Sequence, residues 1–143
     1  MGLDIIIDGE PLGSGREHQI WHGAYSAFAI FRAQIAACLD APSYREIIHL
    51  GYPLDAHPIY KTIEREVNES ATPGLYELLT HHDSDGRWTP KECALVIQAL
   101  EKALPRLPLC DHGGHIGNWR KTTEKFIRGL KVCIEKDLDA IFC

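Results

Sequence analysis

The side chains of this sequence whose types and spacing best fit a chemical role lie in one short segment, residues 81–92. It reads His-His-Asp-Ser-Asp-Gly-Arg-Trp-Thr-Pro-Lys-Glu. Carboxylates at alternate positions, such as Asp83 and Asp85, converge on a cation when the chain curls around it, and hard divalent ions prefer such oxygen ligands. The segment therefore predicts a site for a divalent metal ion.

Twelve residues between two amphipathic helices is also the length of an EF-hand calcium loop. Its ligands come from positions 1, 3, 5, 7, 9 and 12, and glycine at position 6 allows a sharp turn, as Gly86 does here. Position 1 departs from this pattern, because it is a histidine, and imidazole suits Zn²⁺ or Mn²⁺ better than Ca²⁺. The predicted ligands are His81, Asp83, Asp85, the carbonyl of Arg87, Thr89 through a water, and Glu92.

The same segment also has a metal-free interpretation. Asp-Ser-Asp-Gly is common turn chemistry, in which aspartate side chains bond to nearby backbone and glycine supplies a positive φ. Thr89, Pro90 and Glu92 have the spacing of a capping box at the start of a helix. Glu92 cannot easily cap the helix and bind an ion with the same oxygens. Calcium, another divalent ion and no metal at all therefore stay open.

Two other groups of potential ligands are weaker. Cys110, His112 and His115 lie in one predicted loop and could supply three ligands to a zinc ion, with a fourth from elsewhere, such as His81 or Asp83. A zinc ion that activates water could instead use His81, His82, His112 and His115. His18 and His22 have the i, i+4 spacing of a helical zinc site, but Gln19 stands where the glutamate base of such a site belongs. The default interpretation of both groups is a set of polar surface residues.

Several motifs along the chain occur together in one known group of proteins. They are Met-Gly-Leu-Asp at the start, Tyr-Ser-x-Phe-x-x-Phe-Arg at 25–32, His-x-Asp-x-Asp-Gly and Thr-Pro-x-Glu-Cys within 81–93, and Phe-Cys at the end. In these motifs the chain resembles a family of small uncharacterised bacterial and phage proteins. The resemblance implies that His81 belongs to the family pattern and is not a decayed calcium ligand. It implies no activity.

Hydrophobic periodicity predicts that helices position the segment. We expect a mainly α fold of about five to six helices: 26–39, 43–49, 59–67, one from Thr72-Pro73, one from Thr89 to Pro105, and 116–136. In the last of these, Trp119, Phe126, Leu130, Cys133 and Ile134 are predicted to face inward. A β-branched run at Leu3–Ile7 predicts a strand, and Ala140–Phe142 is expected to pair with it as a two-stranded ribbon joining the termini.

The composition places the chain among soluble globular proteins. It has 143 residues, 24% charged and 45% hydrophobic, which predicts a single domain over 1–143 and excludes a disordered tail or a fibre. The net charge of −5 disfavours non-specific nucleic-acid binding. Five cysteines without CxxC spacing indicate a reducing compartment. With no signal segment or long apolar run, we expect a cytoplasmic protein that does not enter a membrane.

These observations predict a small cytosolic binding protein and favour it over an enzyme. In this interpretation, the helix–loop–helix around 81–92 holds a structural divalent ion and the protein acts on a protein partner. Two alternatives stay open. The first is a metal-free inhibitor of the phage or immunity type, which works by protein–protein contact. The second is a zinc hydrolase built on histidines.

Overall fold

The computed structural model describes residues 2–9, 19–49, 59–81, 86–108 and 118–143. The helices in these ranges are α1 (Tyr25–Cys38), α2 (Ile59–Glu66), α3 (Pro73–Thr80), α4 (Pro90–Ala103) and α5 (Trp119–Lys136). The strands are β1 (Gly2–Ile7), β2 (Gln19–Ala24), β3 (Arg87–Trp88) and β4 (Ala140–Phe142), and 3₁₀ turns span Pro42–His49 and Leu104–Arg106. The mainly helical prediction is confirmed.

The strands form one antiparallel sheet in the order β2-β1-β4-β3. The predicted ribbon is present at its centre, where Ile5 lies opposite Phe142 and Ile7 opposite Ala140. The predicted number of strands, two, was too low, because β2 and β3 extend the described sheet on both sides. Both escaped detection for a physical reason: β2 lacks a regular alternation of polar and apolar residues, and β3 has only two residues.

The buried side chains form one cluster between this sheet and the helices. Its centre is aromatic: Phe28 of α1 stacks on Phe126 of α5, with ring centroids 6.4 Å apart and planes 5° from parallel. Phe142 of β4 meets Phe28 edge-on at 6.2 Å. Helix α4 packs on both α3 and α5. At Gly74 of α3 the contact is so close that an added Cβ would lie 2.0 Å from a backbone oxygen of α4.

Two details of the last helix differ from the prediction. Helix α5 begins at Trp119 and not near residue 116, because Asn118 caps it: the Asn118 side-chain oxygen accepts the backbone N–H groups of Arg120 and Lys121 at 3.0 and 3.1 Å. Ile134, which was expected to face inward, is 40% exposed. The inward positions of Trp119, Phe126, Leu130 and Cys133 are confirmed.

Candidate functional site

The two helices that flank the predicted metal loop are α3 and α4. Helix α3 ends at Thr80, and His81 follows in an extended conformation. Asp83 and Asp85 lie outside the described residues, so their role as ligands stays a prediction. The chain continues at Gly86 with a φ of +93°, which confirms the expected glycine turn. The Gly86 carbonyl then accepts the Phe142 N–H at 3.0 Å, so the end of the loop is fixed to the sheet.

His81, the predicted ligand at position 1, packs against aromatic rings of the core. Its ring centroid lies 4.0 Å from that of Phe142 and 5.4 Å from that of Trp88. Its Nε2 atom lies 3.3 Å from the carbonyl oxygen of Arg87, which was the predicted ligand at position 7. In the described part of the loop, these two groups therefore contact each other.

The Arg87 side chain connects three parts of the sheet. Its Nη1 atom donates to Asp139, just before β4, at 3.0 Å, and lies 3.6 Å from an Asp8 carboxylate oxygen, just after β1. These groups are exposed, so the ion pairs contribute little stability individually. Their effect is to define where β3 lies beside β4.

Thr89 and Glu92 form the predicted capping box, which is confirmed. The Thr89 hydroxyl accepts the Glu92 N–H at 3.4 Å, and Glu92 Oε1 accepts from the Thr89 backbone N–H at 3.1 Å and from the Thr89 hydroxyl at 3.0 Å. One carboxylate oxygen of Glu92 thus receives two hydrogen bonds. This arrangement does not fit a bidentate calcium ligand, which turns both oxygens towards the ion.

Sequence reasoning missed a second carboxyl group at this position, Glu77 of α3. Its pKa is raised to about 7, first by burial and then by the hydrogen bond and negative charge of Glu92. The Trp88 indole N–H acts in the opposite direction on this pKa, although it falls short of full hydrogen-bond geometry with any described residue. The i, i+4 spacing of Glu77 and His81 was the available signal.

Glu92 responds to this neighbour in the opposite way. Burial alone would raise the pKa of its carboxyl, but hydrogen bonds from the Thr89 backbone, from Glu77 and from the Thr89 hydroxyl lower it below the usual value. Glu77 is therefore the member of the pair that holds the proton near neutral pH. Within the described ranges, no group of three or more histidine, cysteine or acidic side chains is arranged to hold a metal.

The cysteines that could act as nucleophiles or metal ligands lie partly among the described residues and partly outside them. Cys93 and Cys133 are fully buried in the core, whereas Cys38 is only partly buried. The pKa of Cys93 is raised by its contact with the Cys133 thiol and by burial, which opposes a role as a nucleophile. The weaker cluster of Cys110, His112 and His115 lies outside the described residues and stays a prediction.

His22, one of the two histidines near the start of the chain, is not on a helix. His22 lies exposed in strand β2, where its Nδ1 atom contacts the Asp4 carboxylate of the neighbouring strand. His18 lies outside the described residues. The zinc site considered from the sequence required both histidines on one helix, and the position of His22 in a strand does not provide it.

Comparisons with known proteins add no assignment to this geometry. No protein-family model, curated protein or solved structure matches the chain. The resemblance to small bacterial and phage proteins therefore stays a prediction. Among the described helices, none combines the length and apolar character required to cross a lipid bilayer.

Proposed function

We propose that this protein is a non-enzymatic binding protein that acts by contact with a protein partner. We also propose that its helix–loop–helix at 73–103, here called the joint, is a structural element that forms without metal. One observation supports the proposal that the joint forms without metal. Each described member of the predicted ligand set already has a polar atom in a contact within the protein. His81 Nε2 contacts the Arg87 carbonyl, and Thr89 and Glu92 bond to each other.

The role expected of a structural ion is already filled by these contacts. An ion in the loop would hold α3 and α4 at a fixed angle, and several protein groups do the same. The capping box fixes the start of α4, and β3 pairs with β4. The His81 ring packs against Phe142 of the same strand. The end of one helix and the start of the next are thus both attached to the sheet.

The metal-free joint is tested by measuring the metal content of untagged protein purified without chelator. Thermal melts with EDTA, Ca²⁺ and Zn²⁺ follow. We expect no stoichiometric ion and the same melting temperature in all conditions. A bound ligand at 100 times its Kd would stabilise the folded state by about 2.7 kcal/mol. A stoichiometric ion whose removal lowers the melting temperature, and whose effect disappears in Asp85→Ala, would overturn the proposal.

The binding role is tested with tagged full-length protein. A partner captured from a lysate is purified separately and titrated against the chain by calorimetry, and we expect a saturable complex of fixed stoichiometry. The zinc hydrolase gives a different result. Zinc retained through purification, with hydrolysis of a test ester that is lost in both His112→Ala and His115→Ala, would favour the enzyme instead.

A second candidate is the divalent ion itself, and the pairing of Glu77 with Glu92 favours it. Two carboxyl groups close together hold a proton at neutral pH, and a cation can replace that proton on binding. Glu77 would then join the predicted set of His81, Asp83, Asp85 and Glu92. In this case Ca²⁺, Zn²⁺ or Mn²⁺ should release protons into a weakly buffered solution near pH 7. Glu77→Gln should reduce that release, and Glu135→Gln, on the exposed face of α5, should leave it unchanged.

A further inference from the structure

Arg32 of α1 is a buried arginine whose charge is not paired. The residue is 7% exposed, and its guanidinium carbon lies 4.2 Å from the centroid of the Phe28 ring. Its Nε and Nη2 atoms are fully buried, and neither has a hydrogen-bond partner among the residues that the structure describes. Among the ion pairs of the described residues, none involves this side chain.

Such a group is costly for a folded protein. An arginine cannot lose its proton as a buried lysine can, so it stays charged. Burying a charge without a hydrogen-bonded partner is strongly unfavourable. The Phe28 ring offsets part of this cost through a cation–π contact. That contact uses the face of the guanidinium, however, and leaves the N–H groups along its edge without acceptors.

The two unmet nitrogen atoms are those of one edge. The Nε–H and Nη2–H groups point in parallel from the same side of the planar guanidinium. This is the fork that receives two oxygens of one carboxylate or phosphate. Because both unmet donors lie on one edge, the side chain fits a ligand that presents two oxygens side by side. Donors on different edges would not favour such a ligand.

A second unmet donor lies beside the same aromatic ring. Trp21 of β2 is 4% exposed, and its Nε1 atom is buried without an acceptor. Its ring centroid lies 5.2 Å from that of Phe28 and 5.3 Å from that of Phe31. Buried indole N–H groups usually find an acceptor. Arg32 and Trp21 thus both place unmet donors beside the Phe28 ring.

The local sequence fixes this arrangement. Arg32 follows Phe28 by four residues, so the two side chains lie one above the other on α1. Strand β2 ends at Ala24 and α1 begins at Tyr25, which leaves no loop between the element that holds Trp21 and the element that holds Arg32. We call Trp21, Phe28 and Arg32 the corner.

We propose that the corner is a binding site for an oxyanion, a carboxylate or phosphate group whose oxygens accept from the Arg32 fork and the Trp21 indole. The net charge of the chain is −5, so the positive charge of Arg32 is a local feature and not a property of the whole surface. The site lies apart from the joint and depends on different residues. It therefore does not rest on the proposed function, and either can hold without the other.

The test is a titration of the full chain with sodium phosphate and, separately, with sodium acetate, against sodium chloride at equal ionic strength. NMR detects the side-chain N–H signals of Arg32 and Trp21. We expect saturable shifts of both signals and a rise in melting temperature with at least one anion. A response to phosphate alone assigns a phosphate-bearing ligand, and a response to acetate alone assigns a carboxylate. No saturable response to either anion, or the same response to chloride, would overturn the proposal.

Variants separate the fork from the charge. Arg32→Lys keeps the charge but loses the fork, and we expect binding of the responding anion to weaken by roughly tenfold or more, which is the scale of a charged hydrogen bond. Trp21→Phe keeps the ring and removes one donor, with a smaller loss. Arg128→Lys, at an exposed position of α5, is the matched control and should bind as the parent chain does. Equal affinities in Arg32→Lys and Arg128→Lys would contradict the site.

Discussion

The joint and the corner are two regions of the molecule that treat their charged groups in opposite ways. At the joint, the carboxylate of Glu92 accepts two hydrogen bonds from Thr89, and the His81 ring contacts a backbone carbonyl. At the corner, the donors of Arg32 and Trp21 have no acceptor among the described residues. The Trp88 indole N–H of the joint also lacks an acceptor among the described residues, so the contrast concerns the charged groups. The Glu92 carboxylate of the joint is hydrogen-bonded, and the Arg32 guanidinium of the corner is not.

The sequence indicates residues 81–92 as the segment best suited to bind a ligand, whereas the structure indicates the corner. The segment richest in carboxylates and histidines uses its described polar groups to hold helices together. Helix α1, which resembles an ordinary amphipathic helix, contains the unmet donors of Arg32. A buried donor without an acceptor lowers the stability of the folded state by about 1–3 kcal/mol, and by more if it is charged. A ligand that accepts from these donors would remove this cost.

The largest expected effect comes from removing the aromatic centre of the joint. Trp88 is fully buried, and its ring centroid lies 4.8 Å from that of Phe142. We expect Trp88→Ala to lower the free energy of unfolding by about 3–5 kcal/mol, because it removes a large side chain and leaves a cavity. Urea denaturation measures this loss. Ile30→Ala, at a position 42% exposed, is the control, and equal losses in both variants would mean that the joint is not rigidly packed.

The next largest effect is expected at the corner, and it is an increase in the free energy of unfolding. In a buffer that contains only chloride, we expect Arg32→Met to raise the free energy of unfolding by about 1–2 kcal/mol, because it removes an unpaired buried charge and retains an apolar stem. Arg120→Met is the matched control: Arg120 donates to the Leu107 and Pro105 carbonyls at 3.0 and 3.2 Å, so its loss should destabilise. Chemical denaturation compares the two, and destabilisation of both would show that Arg32 is satisfied in solution.

Sequence alone predicts those features whose causes are local. Thr72-Pro73 and Thr89-Pro90 both mark the start of a helix, and both helices are present. Only the second pair forms a capping box, because Glu92 stands at the third helical position, where the first helix has Leu75. The distinction is visible in the printed sequence. The central ribbon was predictable for the same reason, since the β-branched run of β1 is itself a strand signal.

The features that escaped prediction depend on contacts between distant parts of the chain. Strand β3 exists because Arg87 and Trp88 lie beside β4, some fifty residues later in the sequence. Glu77 is a candidate site residue only because the packing of α3 on α4 places it near Glu92. Arg32 looks like a surface residue of an amphipathic helix. Its burial is decided by the tertiary fold, which no local pattern encodes.

A smaller effect tests whether the joint depends on its capping box. We expect Thr89→Ala to lower the free energy of unfolding by about 1 kcal/mol, since it removes the oxygen that caps α4. Glu92→Gln should cost less, because glutamine also serves at this position of a capping box. Thermal or urea denaturation distinguishes the two. If Glu92→Gln costs as much as Thr89→Ala, the carboxylate charge matters at this site beyond its role in the cap.

The smallest effect at neutral pH concerns the proton held by Glu77, and it grows as the pH rises. Because the folded-state pKa of this carboxyl is raised to about 7 from the usual value of 4.5, the folded state binds more protons than the unfolded state between these values. Its contribution to stability is therefore complete below about pH 4.5 and is lost as the pH rises through 7. Glu77→Gln imitates the protonated form, so its melting temperature should equal that of the parent chain near pH 5 and exceed it at pH 8.

The control for this pH profile is Glu135→Gln, at an exposed position of α5, which should shift the melting temperature equally at both pH values. Glu92→Gln provides a second check, because it removes the neighbouring charge that helps to raise the Glu77 pKa. In that variant the loss of stability with rising pH should be complete at a lower pH. A Glu77→Gln profile parallel to that of the parent chain would mean that Glu77 and Glu92 do not share a proton. The joint would then lose the one feature that favours a metal ion over a purely structural role.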